Sequence, residues 1–137
     1  MIKKRGQIGI EYMVVMGFIV FIILGILGIG FYYMGITNEQ MILSQIDNFA
    51  KKVISTAERV YYEGSPSKAT IEVYLPEQVD NISIIDNNLV VTFQTREGES
   101  ISAFKSNVPI NGTISSNSGV RKIIITAKEN YVEISSS

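Results

Sequence analysis

The longest uninterrupted apolar stretch sets the strongest limit on how this chain can fold. No charged residue lies between Glu11 and Glu39, and residues 12–36 read YMVVMGFIVFIILGILGIGFYYMGI. As an α-helix this run extends roughly 37 Å, which exceeds the hydrocarbon core of a bilayer, about 30 Å thick. Because the run is apolar on every side, it is not typical of a helix that packs one face onto a soluble core. It predicts a membrane-spanning helix over residues 12–36.

The residues that flank this run predict its orientation. Lys3, Lys4 and Arg5 precede it, and Tyr32 and Tyr33 lie near its other end. Cations beside a membrane helix favour the cytoplasmic side, and tyrosines favour the membrane–water interface. We therefore expect a cytoplasmic N-terminus, with the remainder of the chain outside the cell.

Residues 37–63 keep a helical period but carry one apolar stripe, which predicts an amphipathic helix. Thr37 and Gln40 have the spacing of a capping box, which would restart the helix. The alternative is one continuous helix. Gly64 and Pro66 predict its end. The stripe consists of Met41, Ile42, Ile46, Phe49, Ala50, Val53, Ile54, Ala57, Val60 and Tyr61.

From Lys68 onward the period of the apolar residues changes to two, which is typical of strands. Turn signals such as Asn87-Asn88 and Asn111-Gly112 separate six or seven short runs. The sequence thus predicts an α+β fold: a long N-terminal hydrophobic α-helix followed by a small antiparallel β-sandwich-like domain, shaped like a lollipop. We expect the helix stripe to cover the open face of this domain. The runs that alternate most clearly contain Ile71, Val73 and Leu75, and Leu89, Val91 and Phe93.

The composition argues against catalysis. The chain has no Cys, no His and no Trp, and its formal net charge is -1. Disulfides, thiol nucleophiles and imidazole acid–base chemistry are thereby excluded, and nothing in the charge suggests a nucleic-acid partner. Asp80 and Asp86 flank a short apolar run, where turns account for them better than a metal does. We expect no enzymatic activity, no cofactor and no metal site.

The junction before the apolar run is the most informative motif. It reads KKRGQIGIEY, a short basic leader that ends in Gly6 directly before the apolar helix, with Glu11 just inside it. An ordinary secretory signal has a shorter apolar region and a small-residue cleavage site after that region. The arrangement here resembles the class III signal peptide of archaeal type IV pilin-like proteins.

This resemblance implies that a prepilin peptidase cuts the Gly6–Gln7 bond and recognises Lys4, Arg5 and Glu11. The family pattern after the cut is Gln-x-Ser-x-Glu-x-x-x-Leu; here Gln and Glu match, while Gly9 replaces Ser and Val15 replaces Leu. The implied organisation is a cleaved leader over 1–6, a long helix over 7–63 and an extracellular β domain over 64–137. Within the helix, residues 12–36 span the membrane or form a filament core, and residues 37–63 are amphipathic.

Glu11 and several glycines are the candidate assembly residues. A carboxylate at the edge of an apolar run needs a partner or the membrane interface, so Glu11 either pairs with the α-amine of Gln7 in a neighbouring subunit or reaches the headgroups. Five glycines would let helices approach closely or bend: Gly17, Gly25, Gly28, Gly30 and Gly35. The alternative is that these glycines reflect ordinary membrane-helix composition.

Two sequons predict N-glycosylation of an outer domain, at Asn81 in Asn-Ile-Ser and at Asn111 in Asn-Gly-Thr. Asn111-Gly112 is equally typical of a tight hairpin turn.

Together these features predict a structural subunit, or pilin, of an archaeal type IV pilus-like filament that serves adhesion. Its expected partners are further copies of itself, the prepilin peptidase, an assembly platform in the membrane, and membrane lipid before assembly. We expect the precursor in the cytoplasmic membrane and the product in an extracellular cell-surface filament. The alternatives are an archaellin, a minor or tip pilin, and a non-polymerising, membrane-anchored surface binding domain.

Overall fold

A computed structural model describes the backbone of residues 3–136 and the side chains of residues 9–136. One α-helix, α1, runs without a break over Lys3–Glu63. It ends at Gly64, which has a φ of +82° and whose N–H donates to the carbonyl of Tyr61. A left-handed glycine after the last turn is a common helix terminator.

The helix does not restart at Thr37. Its hydroxyl Oγ1 donates to the carbonyl oxygen of Tyr33, four residues earlier, at 3.1 Å. A threonine bonded in this way satisfies its hydroxyl inside a helix and caps nothing. The capping-box interpretation is therefore wrong, and the continuous-helix alternative is confirmed.

The described chain divides into two compact units, one up to Asn38 and one from Glu39 onward. The boundary falls inside α1, so the second unit contains the C-terminal part of the helix together with the strands. Each unit is described by itself below.

The second unit contains seven strands within the described residues, arranged in two sheets. The first sheet has the order β1-β6-β7-β5 and the second the order β2-β3-β4. Their bounds are Lys68–Leu75 (β1), Val79–Ile85 (β2), Asn88–Thr95 (β3), Gly98–Lys105 (β4), Ile110–Thr113 (β5), Gly119–Ala127 (β6) and Val132–Ser136 (β7). The predicted α+β class is confirmed.

One pairing departs from the antiparallel prediction. β5 runs parallel to β7, with Ile110 opposite Val132, while the other paired strands are antiparallel. β7 lies between β5 and β6, so the chain passes from β5 to β6 without pairing them. Alternation of apolar residues marks a strand but carries no information on the direction of its neighbour.

A single hydrophobic core joins the helix stripe to the inner faces of the strands. Six stripe residues are buried in it, and the alternating residues of β3 are buried as predicted. The stripe is thus confirmed as the cover of the β domain, although its first residue, Met41, is exposed. The core includes Ile46, Phe49, Ala50, Val53, Ala57 and Val60 from α1, and Val73, Leu75, Leu89, Val91, Phe93, Ile123, Ile125, Val132 and Ile134 from the strands.

Side chains of α1 also bond to β1, an edge strand of the four-stranded sheet, and to the loop that follows β4. Lys52 Nζ donates to the backbone carbonyl of Glu72 in β1 at 2.7 Å. Glu58 Oε1 accepts from the side-chain amide of Asn107, just after β4, at 2.8 Å, and from its backbone N–H at 3.2 Å. Because β1 is an edge strand, the contact of Lys52 with its backbone leaves it less available for unwanted strand pairing.

Candidate assembly surface

The described part of the first unit is a bare apolar helix. Its large side chains are exposed over the whole circumference; Phe21, for example, is 74% exposed. The most apolar 18-residue window of α1 has a mean hydropathy of 2.9, and none of that window is buried within the chain. Hydrophobic surface of this extent is favourable only against lipid or other protein.

Within the described residues, this segment is the one helix long and apolar enough to cross a membrane. A core helix of a soluble protein can reach the same hydropathy, but its apolar residues are then mostly buried by its own chain. Here the apolar residues have no such cover. The segment therefore has the properties of a membrane-crossing or signal-like helix.

Packing within the described chain does not explain three of the glycines predicted to mediate assembly. A Cβ atom placed on Gly17, Gly25 or Gly28 would meet no other atom of the described chain within 4 Å. Each glycine nevertheless weakens the helix by about 1 kcal/mol relative to alanine. At 3.6 residues per turn the three positions lie within an arc of about 80°. They form one side on which a neighbouring helix can approach closely.

Gly30, another of the glycines expected to allow close helix approach, borders a groove that the sequence did not predict. The missing side chain of Gly30 leaves a shallow apolar groove of about 320 Å³ bordered by Ile26, Leu27, Phe31 and Met34. Leu27, Gly30, Phe31 and Met34 have the i, i+3, i+4, i+7 spacing of a hole that accepts one side chain of a packed helix. The sequence feature that could have predicted this groove is the spacing of these apolar residues around Gly30.

Glu11 is exposed on the same helix. The residues that the resemblance assigns to processing, Lys4, Arg5, Gly6 and Gln7, lie outside the residues whose side chains are described. The cleavage of the Gly6–Gln7 bond stays a prediction.

Both sequon asparagines lie exposed on strands of the second unit, Asn81 in β2 and Asn111 in β5. The hairpin interpretation of Asn111-Gly112 is wrong, because both residues belong to β5 and pair in parallel with β7. Gly112 has a φ of +134°, and a Cβ at this position would collide with the backbone carbonyl oxygen of Ile134. The glycine is needed for close strand approach rather than for a turn.

The turn between β2 and β3 is formed by Asp86 and Asn87, which both have positive φ values of 49° and 62°. Two consecutive residues of this kind make the favoured two-residue hairpin turn. Asn88, predicted to lie in the turn, instead begins β3.

Comparison with family models, with curated proteins and with solved structures found no match for the chain.

Proposed function

We propose that the chain is the structural subunit of an archaeal type IV pilus-like filament, held together by residues 12–36 and displaying the second unit on the cell surface. The observation that carries the proposal is the contrast between its two units. The second unit has a closed core, whereas the apolar window of the first is entirely uncovered.

The contrast gives the two units different roles. Burial of apolar surface stabilises by about 25 cal/mol per Å², so the bare helix gains far more from association than the polar outside of the second unit does. In the membrane this surface meets lipid. Outside it, neighbouring copies of the same helix supply an equivalent environment, and repeated head-to-tail contacts that do not close produce a filament.

The leader supports the same proposal. A class III signal is removed on the cytoplasmic side and leaves the apolar helix on the subunit, as assembly through that helix requires. In this proposal the chain has no catalytic role, and Lys4, Arg5 and Glu11 direct the peptidase. Glycans on Asn81 and Asn111 would then lie on the outer surface of the filament.

The test is to isolate surface filaments from cells that express the chain and to sequence the N-terminus of the dominant protein. We expect filaments whose main component begins at Gln7. Gly6→Trp should leave uncleaved precursor in the membrane and abolish filaments, whereas Gly9→Ala, three residues away, should be processed normally.

The result also separates the proposal from its rivals. A mature protein that begins at Gln7 but contributes only traces of the filament mass would indicate a minor subunit. A processed chain that stays in the membrane fraction, in cells without filaments, would indicate an anchored surface domain and refute the proposal.

A further inference from the structure

The second unit leaves the edge of one strand open. The edge strands are β1 and β5 in the four-stranded sheet, and β2 and β4 in the three-stranded sheet. Lys52 bonds to the backbone of β1, and β2 and β5 lie close to each other. Among the described residues, the one side chain bonded to the backbone of β4 is that of Thr95, in the same hairpin. The backbone groups along such an edge are available to another strand.

The odd-numbered residues of β4 direct their backbone groups to this open edge. The N–H of Ser106, directly after the strand, donates to the carbonyl of Asn87 at 3.0 Å and continues the pairing of β4 with β3. Every second residue of an antiparallel strand bonds to a given neighbour, so the even-numbered residues of β4 bond to β3. The N–H of Asn107 points the other way and donates to Glu58 Oε1 at 3.2 Å. The residues at the open edge are therefore Glu99, Ile101, Ala103 and Lys105.

The side chains of these four residues are exposed on the outer face of the sheet. The buried Leu89 pairs with the even-numbered Phe104, and side chains alternate between the two faces along a strand. Ile101 is 67% exposed. Within the described residues, Glu99 and Lys105 belong to no ion pair. The open edge thus carries exposed apolar side chains between two charges of opposite sign.

The residues of this edge are complementary to the same edge in the reverse direction. An antiparallel copy of β4 can pair with Ser102 opposite Ser102. Each Glu99 then lies opposite a Lys105, and the residues at the open edge form the hydrogen-bonded pairs of the ladder. Each Ile101 lies opposite an Ala103. Opposite charges directly across two strands stabilise a sheet, whereas like charges destabilise it, so the two charges favour this pairing over one with an arbitrary strand.

The helix leaves space for an added strand beside the second half of β4. A groove of about 490 Å³ opens between α1 and this part of the edge, with walls that include Ile54, Ala103 and Lys105. The end of the incoming strand, with its Glu99, would enter the groove next to Lys105. We propose that a second copy of the chain adds its β4 to this edge, which joins two three-stranded sheets into one sheet of six strands.

This contact differs from the one that builds the proposed filament. It is two-fold and closes on itself after two chains. Subunits of one helical filament are related by a rotation with a rise, so the contact would join chains of two different filaments and bundle them. The bundling, but not the pairing, rests on the proposed function. The pairing is measured on the full, unassembled chain, so its failure is distinguishable from a failure to assemble.

The experiment introduces single cysteines into the full chain in detergent, because the chain has none of its own. In the proposed pair, Ser102 and its copy form a non-hydrogen-bonded pair with Cα atoms about 4.5 Å apart, a distance that a disulfide spans. Ser102→Cys should therefore form disulfide-linked dimers under mild oxidation. The matched control is Ser100→Cys, half-buried on the same face of β4. Its copies would lie roughly 14 Å apart, too far for a disulfide.

Charge reversal in the Ser102→Cys chain tests the register. Glu99→Lys or Lys105→Glu alone places like charges opposite each other twice, and each should weaken dimerisation about tenfold. The double reversal recreates both opposite-charge pairs and should restore cross-linking, as should a mixture of the two single reversals. Val120→Lys changes an exposed residue of β6 and should have no effect. Circular dichroism of each variant verifies that the second unit is folded.

Two results would overturn the proposal. One is equal cross-linking of Ser102→Cys and Ser100→Cys, or none in either, since association through the bare helix would not distinguish the two positions. The other is a folded double reversal that cross-links no better than the single reversals, which would show that the charges of β4 only keep strands apart.

Discussion

The helix α1 offers a direct test of which apolar residues hold a subunit together, through two phenylalanines in different surroundings. Phe49 is 3% exposed and lies in the core of the second unit, whereas Phe21 is 74% exposed on the bare helix. Phe49→Ala removes a buried ring and leaves a cavity, which costs about 3–5 kcal/mol in folded cores. Small domains are stable by about 5–15 kcal/mol, so this is a large fraction of the total.

The effect is measurable as a melting temperature. In a domain of this size each kcal/mol corresponds to roughly 4–8 °C, so Phe49→Ala should lower Tm by at least about 12 °C. Near-UV circular dichroism of the full chain in detergent follows the packing of tyrosines, since the chain has no Trp. Far-UV helix signal is unsuitable because detergent keeps the bare helix folded.

The matched control is Phe21→Ala in the same helix. It should change the stability of the second unit by less than about 0.5 kcal/mol, and instead reduce filament yield. Equal Tm values for the two variants, or a wild-type Tm for Phe49→Ala, would contradict the reasoning. Either result would show that the stripe is not part of the folded core.

Further predictions concern single positions. Gly112→Ala should destabilise the second unit by more than about 3 kcal/mol in urea unfolding, because the strain of positive φ and a backbone collision add. The control is Gly98→Ala, which has a φ of +127° but open space around it and should cost about 1–2 kcal/mol. Gly28→Leu should reduce filament yield without changing Tm, and normal filaments would show that this side of the helix makes no close contact. The intact mass of filament protein should exceed the sequence mass and fall stepwise in Asn81→Gln and Asn111→Gln; an unmodified mass would remove glycosylation from the proposal.

Much of the fold follows from periodicity alone. The stripe that buries Phe49 and Val53, and the alternation that buries Leu89, Val91 and Phe93, were predicted because burial on one face imposes a period of 3.6 or 2. The bare helix was predicted from its length and lack of charge. These features depend on local sequence, which is why they can be read from it.

The errors arose where one residue type serves two purposes. Asn111-Gly112 has the composition of a hairpin turn, yet Gly112 lacks a Cβ because the backbone of β7 passes close to it. Thr37 has the position of a helix cap, yet its hydroxyl is satisfied inside the helix. In both cases the role of the residue is set by a backbone carbonyl outside the motif: that of Tyr33, one turn earlier, for Thr37, and that of Ile134 in β7 for Gly112.

The central position of β7 has a consequence for the order of folding. This strand, Val132–Ser136, lies between β6 and β5 and pairs with both, so the four-stranded sheet cannot close before residues 132–136 have been synthesised. Until then β5 has no neighbour in its sheet, and the core side chains of β6 are incompletely covered. Pairing between distant parts of the chain, as of β1 with β6 in this sheet, makes folding slow, and exposed strands of a partly folded chain are prone to aggregate. Folding of the second unit is therefore completed late, and a chain truncated before Val132 would have an incomplete four-stranded sheet.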